Sequence, residues 1–485
     1  MLPPSMIRFV AFGAAAAVLV AACSSSSDNS AQPMDPAQPT TSAGQPPAEP
    51  TPRPSPTVEP DPPGRATIPE DLLLEPGPRL AVQSADGQIS TMLGDGSNVV
   101  PLTDAAEGRA NTGPVWSRDS NRLGWVASDP VGGDISVRTA RFDGSAWGDV
   151  AVESAPFLMS WDPTSSQIAA LSDARGVFEL GVIAVDEDPR YQSIDEGAPF
   201  WFSWNPDADG FLVHASNLRL DLVPIEGTSQ VLAPEPGDFQ APRWLEGAVE
   251  LVYADQVGAE QFLVVTGGQG KGRRALVTYD GYLQFSVAPE SGLIALHVID
   301  PSLAPQYDVI TASYSQPDRF VDVIDDIPRN ELTLMAVFGG DPFVLHPAPG
   351  DLDPNRVVSF HWSPDGSTLA WLLELDPGDG DCASETAVYA LQFWTNSGFV
   401  DGPGFRPSAT LACDYIPIFD QLEQSVSFWS PDGLIFTYAG IDAFTEERGI
   451  WNFEVVPGAI PEFVAKGEIG VWSPDVPGSV AQSAL

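Results

Sequence analysis

The side chains here whose spacing could do chemistry are few against a large background of carboxylates. The 485 residues hold three cysteines and four histidines against 66 aspartates and glutamates. Imidazoles and thiolates bind transition metals and carry nucleophilic or acid–base steps, whereas carboxylates held at set separations bind calcium or cleave glycosides. His214, His297, His346 and His361 form no His-x-His or His-Glu-x-x-His pair, the spacings that bring two imidazoles to one metal. His214 and His297 occupy equivalent points of two apolar runs, which fits packing better than ligation. No Gly-x-Ser-x-Gly elbow is present, so a serine hydrolase would lack its nucleophile, and little chain remains after residue 477 for a hydrolase domain. Asp376, Asp379, Asp381 and Glu385 crowd one loop beside Cys382. No metal is assigned, and this loop is the one candidate, for calcium, against the reading of a solvated acidic turn. The sequence calls for no catalytic residue and no cofactor.

Two of the cysteines, Cys382 and Cys413, fall in the same stretch of chain. In an exported protein such a pair is expected to form a disulfide, the alternative being two buried thiols. Export is suggested by the N-terminus. Arg8 precedes an apolar run, Phe9–Val20, that ends in Ala21-Ala22-Cys23. The run is shorter than the ~20 residues of a membrane span and has the pattern of a secretory signal. Val20-Ala21-Ala22-Cys23 is similar to a bacterial lipobox, which implies cleavage after residue 22 and a lipid on Cys23. Residues 23–68 are rich in Pro and Ser and too poor in apolar residues to fold. They are expected to form a tether reaching on the order of 100 Å. Residues 69–485 are left for the folded domain.

What must position any site in that domain is a returning phrase. Trp362-Ser363-Pro364-Asp365-Gly366, Trp429-Ser430-Pro431-Asp432-Gly433 and Trp472-Ser473-Pro474-Asp475 are its full copies. Weaker ones begin at Trp116, Trp161, Trp204 and Trp244, and a copy without Trp is centred on Val287. Intervals from Trp116 are 45, 43, 40, 43, 75, 67 and 43 residues. Ser-Pro-Asp-Gly is turn chemistry, with Pro presetting φ and Asp bonding the local backbone. Short apolar runs follow each copy, such as Leu123–Ala127 and Leu369–Leu373. A strand-turn-strand unit at a period of about 40–45 residues marks a β-propeller blade. The order of strand pair, Leu-Thr, loop and Pro-x-Trp-Ser-Pro-Asp-Gly resembles the WD40-like repeat of TolB-type propellers. LpqB-type lipoproteins likewise combine a lipobox with such repeats.

The fold expected is therefore all-β, a single propeller over 69–485. Eight motifs give eight blades, or seven if one degenerate unit is an insertion. The long interval after Val287 leaves room for an irregular unit within Glu331–Pro347. The Trp residues are read as packing between blades, with a ring of ligand-stacking indoles as the alternative. The phase of the ends predicts that Gly467–Asp475 supplies the first strand of a blade whose second strand is Arg79–Ser84.

The net charge of −44, with Lys271 and Lys466 the only lysines, excludes nucleic acid and disfavours anionic lipid as a ligand. It suits solubility in salt or a basic partner. The expectation is a lipid-anchored, extracytoplasmic propeller on a bacterial cell membrane. It touches the membrane through its lipid alone and serves as a non-catalytic platform for an envelope protein or peptide. The alternative is a protein that binds or cleaves envelope polysaccharide in the propeller funnel. The contents of the central channel discriminate the two.

Overall fold

The computed structural model describes residues 64–478 apart from 70–71, 132, 175, 187–188, 217–218, 234–235, 238–239, 246–249, 290, 300–325, 338–340 and 349–354. Cys23, the signal segment 1–22 and the tether up to residue 63 lie outside the described residues.

Each copy of the motif joins two antiparallel strands, and the way it does so is chemical. Ser117, Ser363 and Ser430 donate to the carboxylate two residues on, at 2.6, 2.6 and 2.5 Å. The same hydroxyls accept the backbone N–H of Arg122, Thr368 and Ile435, where the next strand begins. Gly366 closes its turn at φ +63°, and a Cβ there would lie 2.0 Å from the Pro289 carbonyl of the neighbouring turn. Only glycine satisfies both demands.

The described strands form eight blades, seven of them built on four strands and the last on three and a bridge. Blade 2 is Ala110–Trp116, Arg122–Ser128, Ile135–Arg141 and Gly148–Val152. Blade 3 runs from Pro156–Trp161 to Arg190–Gly197 and blade 4 from Phe200–Trp204 to Gln230–Ala233. Blade 5 begins with Arg243–Trp244 and ends with Arg274–Tyr279, whose outer edge takes one further short strand, Asp326–Ile327, in parallel. Blade 6 is Tyr282–Val287, Leu293–Ile299, Leu332–Ala336 and Phe343–His346. The segment suspected of hiding a unit thus supplies the third and fourth strands of blade 6, and the long interval reflects the connection through residues 300–331. Blade 7 runs from Arg356–Trp362 to Gly398–Pro407. Blade 8 is Ile435–Asp442, Arg448–Glu454 and Glu462–Ala465, with its innermost strand reduced to the bridge Trp429↔Phe436. Blades 7 and 8 are further joined by pairing of Phe405, Arg406 and Pro407 with Asp442, Ile441 and Gly440.

The ring closes as the phase of the repeat requires. Ile469–Trp472 pairs antiparallel with Arg79–Gln83, from Leu80↔Trp472 to Gln83↔Ile469. Ile89–Leu93 and Val100–Pro101 complete blade 1. Residues 64–68, given to the tether on composition, cover its outer edge. Arg65 bridges Thr103, and the Ala66 N–H donates to the Leu102 carbonyl at 3.1 Å.

The motif tryptophans lie between blades. The Trp116 indole donates to Val471 O, Trp161 to Val115 O and Trp204 to Ser160 O, at 3.0, 3.2 and 3.1 Å. Trp362 donates to Ser286 O and Trp429 to His361 O, at 3.2 and 3.1 Å. In every case the acceptor is the residue before the motif's first position in the preceding blade. Trp472 uses the Thr437 hydroxyl instead, at 2.7 Å. Trp244, partly exposed, has no acceptor for its N–H. Burial of an indole together with a satisfied N–H is what makes Trp suit this seam.

Candidate binding funnel and the segment that floors it

The motif turns all project on one face of the ring, called here the turn face. Between them lies a funnel of about 880 Å³. Pro163, Pro206, Pro364, Pro431 and Pro474 stand on its wall, with the edges of the motif tryptophans below them. The volume lies in the range of small-molecule and peptide pockets.

The funnel has a floor. The connection from blade 7 to blade 8, residues 408–428, turns into the central channel through Leu411–Tyr415, Ile416–Ile418 and Phe419–Leu422. Gln421 pairs in both directions with the backbone of Phe202 in blade 4, accepting its N–H at 3.1 Å and donating to its carbonyl at 2.9 Å. Arg118 of blade 2 donates to Gln424 O at 2.7 Å. Arg243 of blade 5 donates to the Asp420 carbonyl and lies 2.5 Å from a Glu423 carboxylate oxygen. The other Glu423 oxygen accepts from Ser286 of blade 6 at 2.7 Å. On the side of blade 7, Phe419 packs against Phe360 and His361, with ring centroids 4.7 and 5.7 Å apart. The segment thus grips five blades from the axis.

Its entrance is pinned on the opposite face. Cys382 and Cys413 are disulfide-bonded, with Cα atoms 5.3 Å apart and a sequence separation of 31. Glu385 of the same loop accepts the Ala409 N–H at 3.2 Å and pairs with Arg448. A closed loop of this length is worth about 3–4 kcal/mol in the chain-entropy account. Replacing both cysteines by serine is expected to lower stability by that amount in urea unfolding and to raise hydrogen exchange across 411–424. An exchange pattern changed only at residues 376–386 would show that the bond does not hold the floor.

Electrostatics single out two carboxylates of the floor. Burial pushes Asp420 up to about 6, opposed by Arg243, and its Oδ2 has no partner. Burial also raises Glu423, again against the pull of Arg243. A carboxyl raised in the folded state favours folding fully below its unfolded value near 4 and loses that contribution as pH climbs through about 6. Asp420→Asn is therefore expected to be more stable than the parent at pH 8, by up to about 3 kcal/mol, with no gain at pH 4. Equal gains at both pH values would exclude a charge effect.

Of the other sequence candidates His361 lines the funnel, and the rest sit elsewhere. His214 and His297 are buried on the second strands of blades 4 and 6. Burial drives His214 down to about 4, and His297 and His361 down to about 3, which keeps these imidazoles neutral packing groups. The acidic loop does not converge on a point. Asp376 accepts the Gly378 N–H, Asp381 the Ala383 N–H, and Asp379 the hydroxyls of Ser384 and Thr386 at 2.6 and 3.0 Å. Among the described residues no group of three His, Cys, Asp or Glu side chains is placed to hold a metal. The three aspartates of the loop each use an Oδ1 to shape their own turn, and Glu385 faces Ala409 and Arg448 instead. The floor itself escaped the sequence reading. Its signals were the excess length of the 362–429 unit, an arginine where Pro belongs at 118, and an arginine before Trp244.

No protein-family model and no curated protein matches the chain by sequence. Among solved structures it is similar to TolB from Acinetobacter baumannii, at 14% identity and TM-score 0.36, over 59% of this chain and 63% of that one. The chain thus spans less than two thirds of that TolB. It is similar to the C-terminal WD40 domain of Sif2 at 13% identity and TM-score 0.39, over 71% and 84% of the two chains. Oligogalacturonate lyase from Vibrio parahaemolyticus follows at 12% identity and TM-score 0.38, over 73% and 86%. The chain is a β-propeller by its own sheets and ring closure; these likenesses are of fold and do not extend to activity.

Proposed function

We propose that this protein is an exported, lipid-anchored propeller that serves as a non-catalytic docking platform in the bacterial cell envelope, receiving a segment of a partner protein in the turn-face funnel. The observation that carries the reading is the floor. The insertion turns an open channel into a blind well lined by prolines, indole edges and a few polar groups, a form suited to holding a ligand. The polysaccharide-cleaving alternative would need two available carboxylates about 5–9.5 Å apart. On the floor, Glu423 is engaged at both oxygens by Arg243 and Ser286, and Asp420 is buried outside the funnel wall; Glu250 is the one other carboxylate among the described lining residues.

The experiment places a photo-cross-linking amino acid at position 364, on the funnel wall, or at 399, on the outer edge of blade 7. The reading expects a discrete cross-linked protein in intact cells from 364 and none from 399. Identical patterns from both positions would remove the funnel as the docking site. Anchoring is tested separately. Cys23→Ala is expected to abolish labelling by a fatty-acid analogue and to shift the protein from the membrane to the soluble fraction. Unchanged labelling and fractionation would rule out Cys23 as the lipid site.

A further inference from the structure

The funnel wall carries prolines and indole edges above a polar floor of Gln421, Glu423 and Gln424, and the charge at its lip is mostly of one sign. Five motif aspartates, Asp119, Asp207, Asp365, Asp432 and Asp475, are exposed around it. Each directly follows a residue of the funnel wall: Arg118, Pro206, Pro364, Pro431 and Pro474. Burial opposes ionisation of Asp119 and Asp365. It is outweighed by hydrogen bonds from Ser117 and Asn121 to the first and from Ser363 and Ser367 to the second, which hold both below the usual carboxylate range. The lip is anionic at any physiological pH.

Two arginines offset it in part on the side of blade 2: Arg122 acts on Asp119, and Arg118 stands on the wall; the aspartates of blades 1, 4, 7 and 8 stay in excess. The two arginines of the wall, Arg118 and Arg243, are directed at the floor, onto Gln424 O and onto Glu423 and the Asp420 carbonyl. The whole chain reinforces the field with a net charge of −44. An acidic lip around a well walled by prolines and indole edges repels anionic polymers and draws in cations that carry apolar neighbours.

We propose that the funnel docks a cationic segment of a partner protein, with lysine or arginine residues against the aspartate lip and an apolar residue between them seated among the prolines. The proposal rests on the reading of the funnel as a protein-docking site and adds the chemistry of the occupant. The same repeat then does two jobs with one residue. The aspartate Oδ1 shapes the turn, and the carboxylate charge is displayed to the ligand.

The test uses three labelled nine-residue peptides of alternating charged and Leu or Pro positions, the charged positions being Lys, Gln or Glu. Binding to the full-length protein is read by fluorescence anisotropy between 50 and 500 mM salt. The Lys peptide is expected to bind and to weaken as salt rises, since exposed charges are screened beyond roughly 8 Å at physiological ionic strength. The Gln and Glu peptides should bind at least about tenfold more weakly. The combined variant Asp365→Asn, Asp432→Asn, Asp475→Asn keeps an acceptor oxygen at each turn and removes the charge. It is expected to lose roughly tenfold in affinity for the Lys peptide. A control set on the opposite face, Asp86→Asn, Asp129→Asn, Asp173→Asn, should leave binding unchanged. Equal loss from both sets, or equal binding of the Lys and Gln peptides, overturns the proposal. Filling the funnel with Ser291→Trp separates the two readings. If the Gln peptide binds as well as the Lys peptide and Ser291→Trp abolishes both, the docking platform stands without its charge preference. If no peptide is sensitive to Ser291→Trp, both readings fall.

Discussion

A chain ending at Lys466 is expected to lose its cooperative thermal transition and to aggregate. The cut removes only the last strand, Ile469–Trp472, yet that strand is the innermost one of the blade begun by Arg79–Gln83. Ile469, Val471 and Trp472 are fully buried. At about 1.5–3 kcal/mol for each large apolar side chain, their loss removes about 6 kcal/mol. That is comparable to the whole stability of many domains, ~5–15 kcal/mol. Two seams fail with it. The Trp116 indole loses its acceptor at Val471, and the Thr437 hydroxyl loses the Trp472 N–H. Arg79–Gln83, buried along all five residues, becomes an open edge, which is an aggregation hazard. Calorimetry and sedimentation of the truncated protein check this. A melting temperature within a few degrees of the parent would mean that the ring is closed by other contacts.

The second large effect is expected at the floor. Arg243→Ala should cost about 3–5 kcal/mol, because it leaves Glu423 buried without its counter-charge. Ser286 would remain as the one donor to that carboxylate. The penalty belongs to the unpaired charge and not to the pair itself, so Arg243→Met with Glu423→Met should recover most of the loss. Acid should also rescue the single variant. Glu423 already titrates above its ordinary range in the intact pair, through burial, and without Arg243 it rises further. Protonation then removes the unfavourable charge as pH falls towards 5. Urea unfolding at pH 5 and pH 8 decides the matter: an equal deficit at both would assign the effect to lost packing of the arginine stem.

The blades were legible because their chemistry is local. Ser363, Asp365 and Gly366 complete their hydrogen bonds and their left-handed turn within six residues, so the phrase that builds the turn also announces it. The closing strand was legible from phase alone, since a ring must pair its two ends. The cysteine pair stood out by isolation in one stretch. The floor was not legible because its partners are remote. Gln421 meets Phe202 219 residues away, and Glu423 meets Ser286 137 residues away. No period links such positions. The acidic loop stayed ambiguous for the opposite reason. Asp and Gly in close succession serve turn formation and ligand binding equally well in sequence, and only geometry separates the two uses.

The insertion through the axis also settles a matter of orientation. A wheel of eight similar sectors has no index mark, and a guest lowered into its hub could be seated at any of several rotations related by the repeat. The floor contacts blades 2, 4, 5, 6 and 7 through different groups: an arginine, a backbone pair, a second arginine, a serine and an aromatic cluster. The hub therefore presents a different surface at each compass point. A segment that reaches the bottom meets Glu423 on one side and the Gln424–Ser425 backbone on another, so rotations equivalent at the lip are unequal below it. On the docking reading, the insertion would convert a ring that recognises composition alone into one that distinguishes the order of residues along its guest.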